Sequence, residues 1–297
     1  MTGKVSWDGK AKGSVLGNLI FIKLISLAGV IPAYILCFFV TWKYVFTDHD
    51  AVRALKEFRT RIGLGSPSRW HLFRHFYSFG TAMIDRIAFM TRKRTPFTFT
   101  YNGDCYYHEA HGGGKGVITV SAHVGNWEIA GNQFAVHFNE HMHVVILENE
   151  QEAIKRIFKN VVDNRQFSTI AFSSEGLAMM VPIREALRKN EIVGFHGDRI
   201  INDAYLSLPF LGKQAKFPAG PFYIAAITGA PVLPVFLIKT GLFHFTSRTF
   251  PPIYLNDIPR ENRDSYIQTA MEKYVSILET MVRNYPYQWY NFYQFWK

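Results

Sequence analysis

The sequence predicts an α/β protein: a single domain whose mixed, largely parallel sheet is flanked by helices, led by an N-terminal apolar, membrane-associated helical segment. Three observations carry this. From residue 97 onward strand-like and helix-like stretches alternate, the pattern of parallel strands joined by covering helices. Short apolar runs (Gly116–Val120, Glu191–Phe195 and Val232–Ile238) have the composition of buried strands. Leu19–Val40 is the most apolar stretch of the chain, interrupted only by Lys23 and Pro32.

Composition sets the bounds. Across 297 residues, 48% are hydrophobic and 19% charged, a globular balance; the 16% aromatic content suits a large core or a lipid-facing surface. Lys and Arg number 33 against 23 Asp and Glu, a net charge of +10 that favours anionic partners. No P-loop, dinucleotide fingerprint or nucleic-acid motif appears. Acidic lipid head groups, phosphorylated substrates and acidic carrier proteins therefore remain as partners, and nucleic acid is not expected. The two cysteines, Cys37 and Cys105, lack metal-type spacing, so neither a disulfide framework nor a metal site is predicted, and a reducing cytosolic setting is.

Residues 1–14 are polar, basic and predicted to be mobile. As one helix, Leu19–Val40 would rise about 33 Å, close to the thickness of a bilayer's hydrocarbon core. No cleavage site marks it as a signal peptide. It can span the bilayer, or kink at Gly29 and Pro32 and lie in one leaflet; a buried core helix is the alternative. Trp42, Tyr44 and Phe46 around Lys43 read as an interfacial belt. The boundary is accordingly placed with a membrane-attachment segment at 1–46 and a catalytic domain at 47–297.

Asp48 or Asp50 can cap a helix running to Arg61, with Gly63 and Gly65 ending it. A second helix covers Ser68–Met90, and Arg92-Lys93-Arg94 follows as a positive run, either solvated or touching phosphate. Phe97–Tyr101 alternates as a strand and turns at Asn102-Gly103. After Gly116–Val120 come a strand at His143–Leu147, a helix at Glu150–Val162, a strand at Ser168–Phe172, a helix at Leu177–Lys189 capped by Ser173–Gly176, and the strand Glu191–Phe195. Ile200–Lys216 reads as irregular. Phe222–Thr228 is a short helix, and Val232–Ile238 pairs with Leu242–Ser247 as a hairpin. The final helix, Glu261–Asn284, carries one apolar stripe: Ile267, Ala270, Met271, Tyr274, Val275, Leu278, Met281 and Val282. The tail to Lys297 is dense in aromatics.

Three places can carry chemistry. The first is Ser121–Glu128, where His123 sits at a strand-to-helix turn with Glu128 five residues on. Along one helix the two would stand about 140° apart and not meet. They meet only if His123 lies in the turn, Gly125 gives it freedom, Asn126 caps the helix and Glu128 occupies its first turn. A carboxylate on one imidazole nitrogen then leaves the other as a base; a structural histidine beside a first-turn glutamate is the bland alternative. The second is Gly197-Asp198-Arg199 at a strand exit, where Arg199 can clamp an anion with Asp198 orienting it, or form a plain ion pair. The third is Phe217-Pro218-Ala219-Gly220-Pro221 at a helix start, a pocket lining or ordinary packing. His111-Gly112-Gly113-Gly114 imitates a lipase loop, but no Gly-x-Ser-x-Gly elbow accompanies it. His137, His141 and His143 have no further ligand at usual metal spacing.

In this order and spacing, His123-Val-Gly-Asn-Trp-Glu128, Gly197-Asp198-Arg199, Phe217-Pro-Ala-Gly-Pro221 and Thr228-Gly-Ala-Pro-Val-Leu-Pro234 resemble the bacterial lipid A biosynthesis (late) acyltransferases. That family lies within the wider lysophospholipid and glycerolipid acyltransferase superfamily, and the likeness covers nearly the whole chain. The resemblance implies fatty-acyl transfer from an acyl carrier protein or coenzyme A thioester to a hydroxyl, or less often an amine, of a membrane lipid or glycolipid. It implies catalysis by His123 with Glu128, substrate contacts from Asn126, Trp127, Asp198, Arg199, Phe217, Pro218 and Gly220, and no cofactor beyond the acyl donor. It also implies attachment to the cytoplasmic face of a bacterial inner membrane, whose anionic surface suits the positive charge. Several lipid A enzymes carry an Asp-Gln-Asp-type second motif where this chain has Gly-Asp-Arg, so the resemblance does not imply lipid A as acceptor. A lipid or thioester hydrolase, or a non-catalytic lipid- or carrier-binding module of the same fold, are the alternative readings.

Overall fold

The computed structural model describes residues 15–91, 95–147, 167–172, 177–200, 203–256 and 258–296. The expected basic arm at 1–14, the run at 92–94, the helix at 150–162 and the cap at 173–176 lie outside the described residues.

In chain order the described elements are α1 (Val15–Ala28), α2 (Val30–Thr47), α3 (His49–Arg61), α4 (Arg69–Thr91), β1 (Thr98–Asn102), α5 (Asp104–His111), β2 (Val117–Ser121), α6 (Trp127–Phe138), β3 (Met142–Leu147), β4 (Phe167–Phe172), α7 (Leu177–Arg188), β5 (Ile192–His196), β6 (Tyr205–Phe210), β7 (Lys213–Pro218), α8 (Gly220–Thr228), β8 (Val232–Lys239), β9 (His244–Thr249) and α9 (Arg263–Asn284). Seven strands form one sheet in the order β1-β9-β8-β2-β5-β3-β4. Within it β8, β2, β5, β3 and β4 run parallel, while β9 returns antiparallel to β8 and carries β1 parallel to itself. The predicted mixed, largely parallel α/β architecture is the one observed.

The central strands are apolar on both faces because helices cover both. Ile118, Val120 and Val193 join the core with Ile267, Met271, Tyr274 and Leu278 of α9; their neighbours Val117 and Ile192 face Tyr107 of α5 and Phe134 of α6. The period of two along each strand sorts alternate residues into these two layers. All eight residues of the stripe read from the α9 sequence are buried.

Two segments differ from expectation. A helix, α5, fills the interval between β1 and β2 that reads as turn and loop, its packing supplied by Tyr107 and Ala110. Residues expected to be irregular before Lys216 instead form the antiparallel hairpin β6–β7. Its turn is Leu211-Gly212, with φ of 52° and 79°. A two-residue hairpin turn needs that left-handed backbone, but Leu-Gly lacks the Asn-Gly signature that announces it in sequence.

The N-terminal apolar segment is two helices. The chain breaks at Gly29, where φ is +87°, and Pro32 stands in the first turn of α2, where its missing N–H breaks no helical bond. At 18 residues, α2 is the one helix among the described residues long and apolar enough to cross a membrane. One side of it, with Ala33, Tyr34, Cys37, Thr41 and Val45, is buried against the protein. The other leaves Ile31, Ile35 and Phe39 exposed at four-residue intervals, beside Leu27 at 87% exposure. The expected aromatic belt is split. Trp42 stacks on Phe73 at 4.7 Å, Tyr44 packs into the same cluster, and Phe46 faces out.

A buried polar cluster keys α2 to the sheet. Asp85 of α4, fully buried, accepts from the Tyr34 hydroxyl and lies 2.6 Å from Lys239 Nζ at the end of β8. Lys239 also reaches the Tyr34 hydroxyl at 2.9 Å. Removing the carboxylate would leave an ammonium without its counter-charge, which costs more than the intact pair contributes. Asp85→Ala is therefore expected to destabilise the protein by about 3–5 kcal/mol, read as a lowered denaturation midpoint in detergent. A midpoint within experimental error of the parent would show that the cluster does not hold α2 to the core.

Candidate active site

The site forms where two neighbouring strands end together. β2 and β5 run parallel in a register that sets Ser121 beside His196. Two residues beyond each partner come His123 and Asp198. Because paired strands lie about 4.8 Å apart, equal offsets bring the two side chains within reach. The ladder continues past the strand ends: the Gly197 N–H donates to the Ser121 carbonyl at 2.7 Å. Gly197 is required there, since a Cβ would fall 2.6 Å from the Tyr274 hydroxyl, which itself donates to the Ser121 carbonyl at 2.8 Å.

After His123 the chain turns sharply into α6. Gly125 takes φ +68°, and a Cβ on it would lie 2.0 Å from the Leu237 carbonyl oxygen. The Gly125 N–H donates to Gln288 and the Asn126 N–H to Leu237, each at 2.8 Å, so the turn is held between β8 and the C-terminal tail. Asn126 caps α6 as expected, its Oδ1 accepting from the Ile129 N–H at 3.3 Å, while its amide donates to the Ala82 carbonyl at 2.9 Å.

His123 and Asp198 are 7% and 2% exposed. His123 Nδ1 stands 2.8 Å from Asp198 Oδ1; the other carboxylate oxygen accepts from the His123 backbone N–H at 3.0 Å and from Trp289 Nε1–H at 3.3 Å. Burial by itself would raise the Asp198 pKa, but the adjacent His123 and the Arg199 charge outweigh it and hold the carboxyl below its ordinary range. Burial lowers the pKa of His123, and Arg199 adds to this against the opposing pull of Asp198. The pair thus rests as carboxylate and neutral imidazole. An ionised carboxylate only accepts, so the ring proton sits on Nδ1 and Nε2 keeps its lone pair. Chemically, an imidazole held in this way can act as an oriented general base.

The tail straps the pair in place. The Tyr290 N–H donates to the His123 carbonyl at 2.8 Å, and the Tyr293 hydroxyl to the Asp198 carbonyl at 3.4 Å. Trp289 is fully buried, and its carbonyl accepts from His75 Nε2–H at 2.8 Å. Burial pushes His75 down to about 4, so it acts as a neutral donor.

The expected hydrogen bond between His123 and Glu128 is not the one formed. Glu128 does occupy the first turn of α6, but its carboxylate is bonded to Arg86 of α4. The turn at Gly125 satisfies the geometric condition; the register of β2 and β5 then places Asp198 on the ring nitrogen. Asp198, expected to orient Arg199, instead orients His123. Arg199 donates to the Tyr290 carbonyl at 3.4 Å and lies 6.0 Å from the Tyr293 ring. Trp127 is beside the base, its ring 4.8 Å from that of His123. Phe217 is buried between Phe210 and Phe295 at 5.4 and 5.6 Å, Pro218 ends β7, and Gly220 opens α8. Of the three histidines weighed as metal ligands, His137 bonds Asp104 at 2.7 Å, His143 bonds Glu191 and Ser168 at 2.7 Å each, and His141 meets the same Ser168 hydroxyl at 3.3 Å. Sequence reasoning assigns no role to His75, Arg86 or His196, although His196 opens the loop that holds Asp198 and Arg199. Trp289, Tyr290 and Tyr293 enter it only as part of an aromatic tail that could line an apolar channel for the acyl chain.

A family model described as bacterial lipid A biosynthesis acyltransferase matches residues 73–297, which include the whole of this site. A phosphatidylinositol mannoside acyltransferase of Mycobacterium tuberculosis is 26% identical over 121 residues, 41% of this chain and 38% of the relative. The protein of the same name from Mycolicibacterium smegmatis is 24% identical over 122 residues, 41% of this chain and 40% of the relative. The aligned stretch thus spans less than half of the curated relatives it matches.

The Asp198 contact makes the tautomer testable. In the unmodified protein, ¹⁵N shifts of His123 at neutral pH are expected to show a proton on Nδ1 and a bare Nε2. Asp198→Asn can present its amide donor to Nδ1 and reverse that assignment. An unchanged tautomer in the variant would mean that the carboxylate does not set it.

Proposed function

The chain belongs to the bacterial lipid A biosynthesis acyltransferase family, and on that premise we propose that it moves a fatty acyl group from an acyl carrier protein or coenzyme A thioester to a hydroxyl of a membrane lipid or glycolipid. The observation that carries this reading is the buried, neutral His123 whose Nδ1 is bonded to Asp198. In the proposed reaction the acceptor oxygen attacks the thioester carbonyl carbon while His123 Nε2 takes its proton. The carbonyl π pair moves onto oxygen. When that pair returns, the carbon–sulfur bond breaks and the departing thiolate takes the proton back from the imidazolium. Asp198 holds the ring and stabilises its transient positive charge, a form of assistance worth about 10²–10⁴-fold. No step needs an acyl-enzyme.

Glu128 stands in the first turn of α6, bonded to Arg86 of α4. We place it at the edge of the acceptor site, with a smaller share in catalysis than Asp198. A glycolipid acceptor agrees with the names of the two mycobacterial relatives. An acyl carrier protein or coenzyme A donor is anionic, which suits a chain of net charge +10. The uncovered stripe Leu27, Ile31, Ile35 and Phe39 supports attachment to one leaflet, because the opposite side of α2 is buried against the protein.

Purified protein given labelled acyl carrier protein or acyl-CoA with total membrane lipid is expected to label lipid, and His123→Ala to slow this by about 10²–10⁴-fold. Label appearing only as free fatty acid would favour a hydrolase, and equal transfer by the alanine variant would remove His123 from the mechanism. Because burial holds His123 below the ordinary histidine value, the base stays unprotonated to lower pH. The acid limb of kcat/KM should therefore fall below pH 6.5; a limb well above it contradicts a neutral buried base. Asp198→Asn is expected to cost more of kcat than Glu128→Gln, and the reverse order would return the orienting role to Glu128.

A further inference from the structure

Base-assisted attack on a thioester leaves negative charge on the carbonyl oxygen, and a donor must meet it. The donor has to stand beside the base without adding positive charge, since a cation there would lower the basicity of His123 further. The Arg199 guanidinium is turned to the Tyr290 carbonyl and the Tyr293 ring. Among the described residues, a second imidazole, that of His196, lies against the His123 ring.

His196 ends β5 directly opposite Ser121. Its ring lies 4.7 Å from that of His123, tilted by 37°, and 6.4 Å from Trp127 at 88°. With Trp127 4.8 Å from His123, the three rings close on one another. His196 Nδ1 is buried and meets no hydrogen-bond partner among the described residues. A neutral imidazole has one N–H to place, and burying an unpaired N–H is costlier than burying a bare lone pair. The proton therefore belongs on Nε2. Burial first, then His123 and Arg199, push His196 down to about 3 against the pull of Asp198, so the ring is neutral throughout the working range.

We propose that His196 is the oxyanion donor of this site: its Nε2–H hydrogen-bonds the thioester carbonyl oxygen as that oxygen gains charge. The assignment rests on the acyl-transfer reading above. As the acceptor O–C bond forms and the carbonyl π pair moves to oxygen, His123 holds the acceptor proton and His196 keeps its own, donating without transferring it. The hydrogen bond relaxes when the carbonyl re-forms and the thiolate leaves. The unpartnered Nδ1 bears on the tautomer: it leaves the single ring proton to Nε2, and that N–H is the group the assignment uses. A neutral imidazole is suited to the task, since it polarises a carbonyl without competing for the proton that the base must take.

The test compares His196→Phe, which keeps a ring and removes the donor, with His196→Gln, which keeps a side-chain N–H. Both are assayed as full-length protein in lipid vesicles with an acyl-CoA or acyl carrier protein donor. His196→Phe is expected to lower kcat by about 10²–10³-fold with little change in KM for the donor, and His196→Gln to recover part of that loss. A phenylalanine variant with parental kcat, or a glutamine variant no better than phenylalanine while both melt cooperatively, would overturn the assignment. ¹⁵N shifts of His196 in the unmutated protein give a readout independent of any variant's folding: a neutral ring protonated on Nε2 supports the proposal, and a proton on Nδ1 overturns it. His123→Ala run alongside separates the two levels. If it retains transfer, the base reading itself fails; if it abolishes transfer while His196→Phe does not, only the oxyanion assignment fails.

Discussion

The carboxylate of Asp198 is the constraint on which the rest of the site depends. A carboxylate 2% exposed persists only where donors replace water. It accepts from the His123 ring, the His123 backbone and the Trp289 indole. These donors are delivered by two different parts of the fold. The β2 exit brings His123 through a turn that only glycine accommodates at position 125, and the C-terminal tail brings Trp289. The tail's aromatic density follows from this requirement. Trp289 must be buried to reach Asp198, and Phe58, Phe210, Phe295 and Trp296 surround it at 4.8 to 6.0 Å.

The same economy extends outward. His75 fixes the Trp289 carbonyl from α4, and Gln288 accepts from the Gly125 N–H while its side chain bonds both backbone groups of Lys239. Lys239 in turn meets Asp85 and Tyr34. A continuous chain of polar contacts thus runs from the catalytic turn to α2, the helix with the uncovered apolar stripe. The proposed lipid-facing helix and the proposed base are in this way joined through one set of polar contacts, which suits an enzyme whose proposed acceptor stays in the bilayer.

How much was legible in the sequence depends on the range of the interaction. Asn126 as cap, Gly125 as turn and Glu128 in the first helical turn are local facts, readable from eight residues. The α9 stripe is readable because burial of one helix face imposes a 3.6-residue period. The hairpin β6–β7 was not readable, since its turn has Leu at a left-handed position that tertiary packing enforces. The helix α5 was missed because its eight residues carry too short an apolar pattern to separate from a loop. The partner of His123 was misread for a different reason. Nearness in sequence favoured Glu128, whereas the true neighbour lies 75 residues away.

By itself, the sequence determined the α/β class, the order of its motifs, the strand-exit position of His123 and the apolar N-terminal segment. These follow from composition, period and turn chemistry, which act over a few residues. Only the tertiary structure decided which carboxylate meets the imidazole, that Arg86 takes the other, and that His196 stands beside the base with a nitrogen unpaired. Those outcomes rest on the register between β2 and β5 and on where the tail crosses them. Register is set by the summed burial of whole strands and helices, so no local stretch of residues contains it.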